Sequence, residues 1–465
     1  MPIAILLFSS FFTILAWLRL DYALFFLIAS LPAYLIRFSL FSLPSTLLEI
    51  MILITFAVWF IKEFWPNFKN SLKNQQKRKP YPFSWEIITL TILSFIAIFV
   101  AGFQNSALGA WKAYFFEPIL VFILIINIYK NKKDWSKILW GFLLSAASII
   151  ILAIYQKITG QLIPNSFWAE EATRRVVSWF EYPNAVGLYL SPLILILAGW
   201  LFSLPKKVSI QNIIKKSLII AIILGSIISV YFAKSEGALI GIAAGLLTFG
   251  LFSGGKKSRI TIITSLLILI TILSSTNIRN TVWEKISFQD LSGQIRLQQW
   301  KETINLFKEG HIISGNGLSN YQRAVSPYHQ EGIFFNRDKI ENFDALTWAN
   351  LDLQKKYWQP VEIYLYPHNI FLNFWTEIGL FGALAFFWLF FKACFLAFKL
   401  SRNKNPENRK EKYLALGLFS SLIVIMTHGL VDVPYFKNDL AVMFFIILSF
   451  IGLLNLHHQI KDKEI

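Results

Sequence analysis

The chain has 465 residues, is 55% hydrophobic with 44 Phe and 16 Trp, and carries charge on only 15% of its residues. A soluble domain carries roughly 25%, so the composition excludes a water-soluble globular enzyme and points to a polytopic membrane protein. The net charge of +17 is dispersed over short hydrophilic gaps, whereas nucleic-acid binding needs one contiguous basic face. The lone Cys394 leaves no intrachain disulfide or CxxC metal site.

Taken in chain order, apolar runs fall near 3–20, 22–41, 45–62, 84–103, 108–128, 135–157, 183–203, 214–232, 235–253, 258–274, 368–398, 413–431 and 438–457. Most approach the ~20 residues that a membrane-spanning helix requires. The first run opens without a basic leader or a small-x-small cleavage site and reads as a membrane segment. The expected fold is an all-α polytopic integral membrane helical bundle of about 12–13 transmembrane helices with one large extracytoplasmic loop. Three parts follow: N-terminal transmembrane helices over 1–274, the loop over 275–367, and C-terminal transmembrane helices with a cytoplasmic tail over 368–465.

The hydrophilic gaps set the expected sidedness. Basic residues cluster at Lys73, Lys77, Arg78 and Lys79, at Lys130, Lys132 and Lys133, and at Lys206, Lys207, Lys215 and Lys216. Further clusters are Lys256, Lys257 and Arg259, then Arg402, Lys404, Arg409, Lys410 and Lys412. They occupy every second connection, which is the positive-inside pattern. The segments 158–182, 233–235, 275–367 and 432–437 then share the outer side.

The segment 275–367 is too long and too rich in Trp and Tyr for a passive linker. Leu297, Trp300, Ile304 and Phe307 follow helical spacing and stop at Gly310, so an amphipathic helix is predicted there. Ser314-Gly315-Asn316-Gly317 reads as a turn; it lacks the Lys-Ser/Thr of a phosphate loop. Trp300, Tyr321, Tyr328, Trp348 and Trp358 suit either sugar faces or the membrane interface.

Polar residues at the outer edges of the spans form the candidate site. Arg174 and Arg175 precede Pro183-Asn184, Lys234 precedes Ser235-Glu236-Gly237, Arg296 lies early in the loop, and His368-Asn369 opens the run that follows it. His428 and Asp432 close the penultimate span. Guanidinium groups offer bidentate, permanently charged donors for phosphate oxygens. An imidazole at a helix N-terminus is biased to its neutral form and suits a general base. The set fits a transfer in which pyrophosphate leaves and a hydroxyl attacks, with Arg296, Arg174 and Arg175 on the pyrophosphate and His368 on the hydroxyl proton.

Plainer roles stand beside these. His368 also fits an interfacial cap, and Arg174 and Arg175 fit solvated or lipid-headgroup positions. Arg296 also fits a snorkelling residue or a partner of Glu302. Asp432 and His428 fit turn caps. Lys112 and Glu117 fit an intramembrane pair, or Lys112 a snorkelling cation. The six His show no HExxH or comparable spacing, so no metal site and no cofactor is expected.

The segment from His368-Asn369 to Gly382 resembles the C-terminal signature of the O-antigen ligase and O-antigen polymerase superfamily. Four further features agree in order: Arg175 to Pro183-Asn184, Ser235-x-Gly237, Arg296 with Trp300 leading to Gly315-x-Gly317, and His428-Gly-Leu-Val-Asp432. The resemblance covers roughly residues 80–457. It implies a metal-independent membrane glycosyltransferase that moves a glycan from an undecaprenyl-pyrophosphate carrier to an acceptor hydroxyl on the outer face of the cytoplasmic membrane. The implied partners are a lipid-linked oligosaccharide donor, a glycan, glycolipid or protein acceptor, and membrane lipids. His368 matches the family's base, with Arg296 as a second catalytic residue. Arg174, Arg175, Lys234, Asn369 and Asp432 are the substrate-binding candidates. Glycan ligation, glycan polymerisation and protein O-glycosylation all fit the resemblance. A transporter, which needs ionisable groups near the midplane, fits the charge distribution less well. One departure is clear: Glu236 stands where many members carry Arg in a Ser-Arg-Gly motif.

Overall fold

The computed structural model describes residues 3–40, 43–73, 80–205, 207, 209–403, 405 and 408–464. Of the basic clusters, Lys77, Arg78, Lys79, Lys206 and Lys404 lie outside the described residues. Every apolar run of the sequence holds a helix. These are α1 (Ile3–Leu18), α2 (Leu20–Ala29), α3 (Leu47–Trp59), α4 (Ser84–Val100), α5 (Asn105–Ile128) and α6 (Trp135–Thr159). They continue with α7 (Pro183–Ser203), α8 (Ile210–Phe232), α9 (Glu236–Phe252) and α10 (Gly255–Ser274). In the large loop, α11 (Thr276–Ile286) and α12 (Leu291–Leu306) precede α13 (Ile370–Ser401), α14 (Arg409–Gly429) and α15 (Asn438–Glu464). The protein is an all-α polytopic membrane protein.

Eight of the described helices are long and apolar enough to cross a bilayer: α5, α6, α7, α8, α10, α13, α14 and α15. The N-terminal runs are cut shorter than their hydropathy suggests. The run 22–41 contains only the last eight of the ten residues of α2, then a 3-10 turn at Leu31–Leu35 and the start of an antiparallel hairpin, Arg37–Leu40 with Leu43–Thr46. Pro32 and Pro44 account for this, since proline removes a backbone donor and suits turns and strand edges.

The core is centred on α7, which is buried along almost its whole length and packs against α14, α8, α9 and α6. Its contact with α14 is backbone to backbone. A Cβ on Gly199 would lie 2.6 Å from the Tyr413 carbonyl oxygen and 2.8 Å from Gly417 Cα. Between membrane helices such close approach replaces the hydrophobic drive that lipid cannot supply. The start of α9 packs closely on the end of α14 and the turn after it, where a Cβ on Gly237 would meet the side chains of His428 and Val431. Two motif residues, Gly237 and buried His428, are thereby explained by packing.

α13 is broken once. Gly379 adopts φ 73° and ψ 174° inside the helix, and the loop segment 313–319 fits into the break. The Asn316 N–H donates to the Thr376 carbonyl at 2.7 Å, and the Leu380 N–H donates to the Ile313 carbonyl at 3.1 Å. The Ser319 N–H donates to Glu377 Oε2 at 2.7 Å. The Ser314–Gly317 turn is thus a buckle joining loop to span, at a depth where backbone groups must be paired within the protein.

In the loop, the buried face of α12 is Gln299, Glu302, Thr303 and Leu306, while Ile304 is exposed. The expected apolar stripe is therefore offset. Glu302 accepts from the Gln330 N–H at 3.0 Å and faces His329 at 3.4 Å, so polar anchoring of the loop wins over apolar burial. It does not pair with Arg296. Lys112 pairs with Glu49 at 2.7 Å, and Glu117 accepts from Asn438 at 2.9 Å, so those two intramembrane charges have separate partners.

The gaps at 130–133, 256–259 and 402–412 meet with the end of α7 at one end of the bundle. Lys132 pairs with Glu411, Lys257 donates to the Tyr413 hydroxyl at 3.1 Å, and Arg409 donates to the Phe202 carbonyl at 3.1 Å. Replacing Gly199 by Leu should force α7 from α14. Overpacking of this kind costs about 1–3 kcal/mol, so the thermal midpoint in detergent should fall by several degrees, while Ile213→Val on the exposed face of α8 should leave it unchanged.

Candidate active site

Four connections meet at the opposite end. Arg175 donates from Nε to the Ala233 carbonyl at 2.9 Å and from a terminal nitrogen to Asn184 Oδ1 at 3.2 Å and the Lys234 carbonyl at 3.3 Å. Asn184 in turn donates to Asp432 Oδ2 at 3.2 Å. Asp432 is 1% exposed, and its other oxygen accepts from the Val433 N–H at 2.8 Å. Arg296 donates from Nε to the Val431 carbonyl at 3.0 Å and from a terminal nitrogen to Ser292 Oγ at 2.8 Å. The three outer connections around α7, α9 and α14 are thus stitched to α12.

His368 sits at the centre. Asn369 caps α13, its Oδ1 accepting from the Phe371 and Leu372 N–H groups at 2.9 and 3.1 Å, while its Nδ2 donates to the Leu430 carbonyl at 3.1 Å. This cap forces the preceding residue to turn, and His368 takes a left-handed φ of 46°, a costly backbone state for a non-glycine residue. The Trp300 indole N–H holds the Pro367 carbonyl at 2.9 Å. The imidazole lies between Tyr366 and Tyr364, with ring centroids 4.7 and 5.1 Å away.

His368 Nδ1 lies 3.1 Å from Gln299 Oε1. With that oxygen toward the ring, Nδ1 carries the proton and Nε2 the lone pair. Burial pushes the imidazole below its ordinary pKa. The Asp432 carboxylate opposes this, Arg296 pushes the same way as burial, and a hydrogen bond to the Tyr366 backbone opposes it. The Tyr366 hydroxyl is held well above the usual phenol range by burial, then by Asp432 and Tyr182, so it stays a proton donor. Its oxygen is 3.5 Å from that of Tyr182.

A cavity of about 750 Å³ opens beside His368. Its walls include Tyr114, Tyr182, Tyr364 and Tyr366, and its cations are Arg37 and Lys437. Lys437 lies 4.5 Å over the Tyr182 ring and 4.9 Å over that of Phe180. Burial lowers its pKa, with Asp439, Asp432 and Glu181 pulling the other way and Arg37 adding to the lowering.

The candidates read from sequence divide clearly. His368, Asn369, Arg296, Arg175 and Asp432 belong to one connected network. Arg174 braces its own loop instead, donating to the Ala169 and Lys157 carbonyls at 3.1 and 3.0 Å. Among the described residues the Lys234 ammonium reaches only the Thr173 carbonyl, at 3.4 Å, although its own carbonyl serves Arg175. Glu236 pairs with Lys285 at 2.9 Å, and Lys285 also pairs with Asp290 at 2.9 Å. The unexpected carboxylate therefore ties the start of α9 to α11. The pair is half exposed and contributes at most about 1 kcal/mol, so its role is tethering. Gln299, Tyr366 and Arg37 were not anticipated. Gln299 lies three residues after Arg296 on one helix face, a spacing visible in sequence. Arg37 was passed over, although a cation inside an apolar run is itself a signal in a membrane protein.

Residues 186–387 match the O-antigen ligase family model. The match, over the middle of the chain, supports membership of the O-antigen ligase superfamily. No curated protein matches the chain. The O-antigen ligase domain runs from α7 into α13 and includes Lys234, Arg296, Gln299, His368 and Asn369. Arg175, Asp432, Arg37 and Lys437 reach the same site from outside it. No group of three or more His, Cys, Asp or Glu is placed to hold a metal ion among the described residues.

The electrostatics around the imidazole have a direct readout. Asp432→Asn removes the charge that raises the His368 pKa, so its titration, followed by NMR on histidine-labelled protein, should move to lower pH. Arg296→Ala should move it to higher pH.

Proposed function

We propose that this protein transfers a glycan from an undecaprenyl-pyrophosphate carrier to an acceptor hydroxyl at the outer face of the cytoplasmic membrane. One observation carries the reading: within the region matching the O-antigen ligase family, a half-buried histidine with an oriented ring faces a cavity large enough for a sugar. About 300–1,000 Å³ is usual for such pockets.

In this mechanism His368 Nε2 takes the proton from the acceptor hydroxyl as its oxygen attacks the anomeric carbon. The carbon–oxygen bond to the carrier breaks, and its electron pair leaves with the pyrophosphate. Burial and Arg296 keep the imidazole neutral and ready to accept, while Asp432 stabilises the imidazolium that forms. Gln299 holds the ring, as the left-handed turn and Trp300 hold its backbone. Arg37 and Lys437, which line the cavity itself, supply the positive charge for the pyrophosphate, and Arg296 supports them from α12. Arg175 acts through Asn184 and Asp432 as a positioning residue. Arg174 and Lys234 are assigned to the architecture of their loops.

Purified protein in nanodiscs, given undecaprenyl-pyrophosphate oligosaccharide and candidate acceptors, should release undecaprenyl pyrophosphate only with a competent acceptor. His368→Ala should lower turnover by about 10²–10⁴-fold, and full activity in that variant would overturn the general-base role. Because a depressed histidine pKa keeps the base neutral, activity should hold as pH falls to about 6.5 and decline only below it. Asp432→Asn should move that acid limb to lower pH.

A further inference from the structure

The floor of the cavity contains chemistry that proton transfer and pyrophosphate binding leave unused. Asn373 and Glu377 follow His368-Asn369 down one face of α13, four residues apart, so they lie about 6 and 12 Å below Asn369 along the helix. Both line the cavity, as does Asn438, the first residue of α15. Asn373 is 1% exposed and Asn438 6% exposed, and the Oδ1 of each accepts no hydrogen bond. Asn438 Nδ2 is taken by Glu117 at 2.9 Å, which fixes the direction of that amide. The carboxylate of Glu377 is bound on one oxygen by the Ser319 N–H at 2.7 Å.

Buried acceptors without donors are expensive, and more so in a bundle surrounded by lipid. They mark a place where a ligand brings the missing donors. A glycosyl pyrophosphate diester has no proton to offer these oxygens at neutral pH. A sugar hydroxyl donates and accepts at once. Beside the amides stand Tyr114 and Phe436, which offer flat amphipathic or apolar faces to a pyranose ring. The cations Arg37 and Lys437 line the same cavity.

We propose that Asn373, Asn438 and Glu377 form a sugar-hydroxyl subsite that seats the neutral ring nearest the reacting bond. The proposal rests on the glycan-transfer reading, and it adds a specificity element: rings are selected by the hydroxyls they present to two amide oxygens, that of Asn438 held in direction by Glu117. The ring belongs either to the donor glycan or to the acceptor, which share this chemistry.

Saturation-transfer NMR on the full-length protein in nanodiscs, with glucose, galactose and N-acetylglucosamine as free probes, reads the subsite without any transfer reaction. At least one sugar should bind the parent protein, and Asn373→Leu and Asn438→Leu should each weaken it at least tenfold. His368→Ala should retain it. Asn373→Ala, which only removes atoms, serves where leucine prevents folding, as judged by the melting midpoint. In the transfer assay the floor variants should raise KM for one substrate more than they lower kcat. A rise for the acceptor assigns the ring to the acceptor, and a rise for the carrier assigns it to the donor. Sugar binding that survives both asparagine substitutions, or its absence in the parent protein, overturns the subsite. Preferential binding of ethanolamine over every neutral sugar also overturns it, in favour of a cation site. If transfer fails while sugar binding is lost only in the floor variants, the subsite stands and the transfer reading falls.

Discussion

A helix that spans a membrane can be broken only if something within the protein takes up the freed backbone groups. At Gly379 that something is the segment 313–319, whose carbonyl at Ile313 and N–H at Asn316 complete the hydrogen bonding of α13. The site depends on this exchange. It brings the Ser319 N–H to Glu377, fastens the large loop to the span that begins just after His368, and sets α12 over the imidazole. Only glycine fits on either side of the contact. A Cβ on Gly315 would lie 2.5 Å from the Trp375 carbonyl oxygen, and one on Gly379 would lie 2.4 Å from that of Ile313.

Around this frame the positive charges divide their labour. Arg174, Arg175 and Arg296 spend donors on backbone carbonyls and neighbouring side chains, and thereby hold loops together. Arg37 and Lys437, contributed by a short hairpin and by the turn before α15, line the cavity. Permanently charged, forked arginine suits the first task, because one guanidinium can bind two or three acceptors at once. Glu236 belongs with the tethers: its partner is Lys285 of α11, so the sign reversal in the Ser235-Glu236-Gly237 motif is balanced by the loop.

Much of this was legible in the chain. The thirteen apolar runs each hold a helix, since hydropathy over tens of residues reports burial in lipid or protein directly. The prominence of His368 was also legible, because a titratable residue before a capping asparagine and a long apolar run is a local pattern. The length of the N-terminal helices was less so, as Pro32 and Pro44 convert apolar sequence into turn and hairpin. The offset of the α12 face was not legible. Glu302 and Gln299 look solvent-facing until the partners that pay for their burial, the 329–330 turn and His368, are in place.

The sequence by itself determined the class of the protein, the outline of its helices, and a histidine with nearby arginines as the place to look. Those properties are encoded in composition, periodicity and short motifs. The tertiary structure alone decided which cations line the cavity, which way the imidazole is held, and that two asparagines on its floor lack donors. These depend on side chains from Arg37, Gln299, Asn373 and Asn438, separated by up to about 400 positions and joined only where helices cross. No local pattern records such a meeting, because the energy that selects it lies in packing between segments.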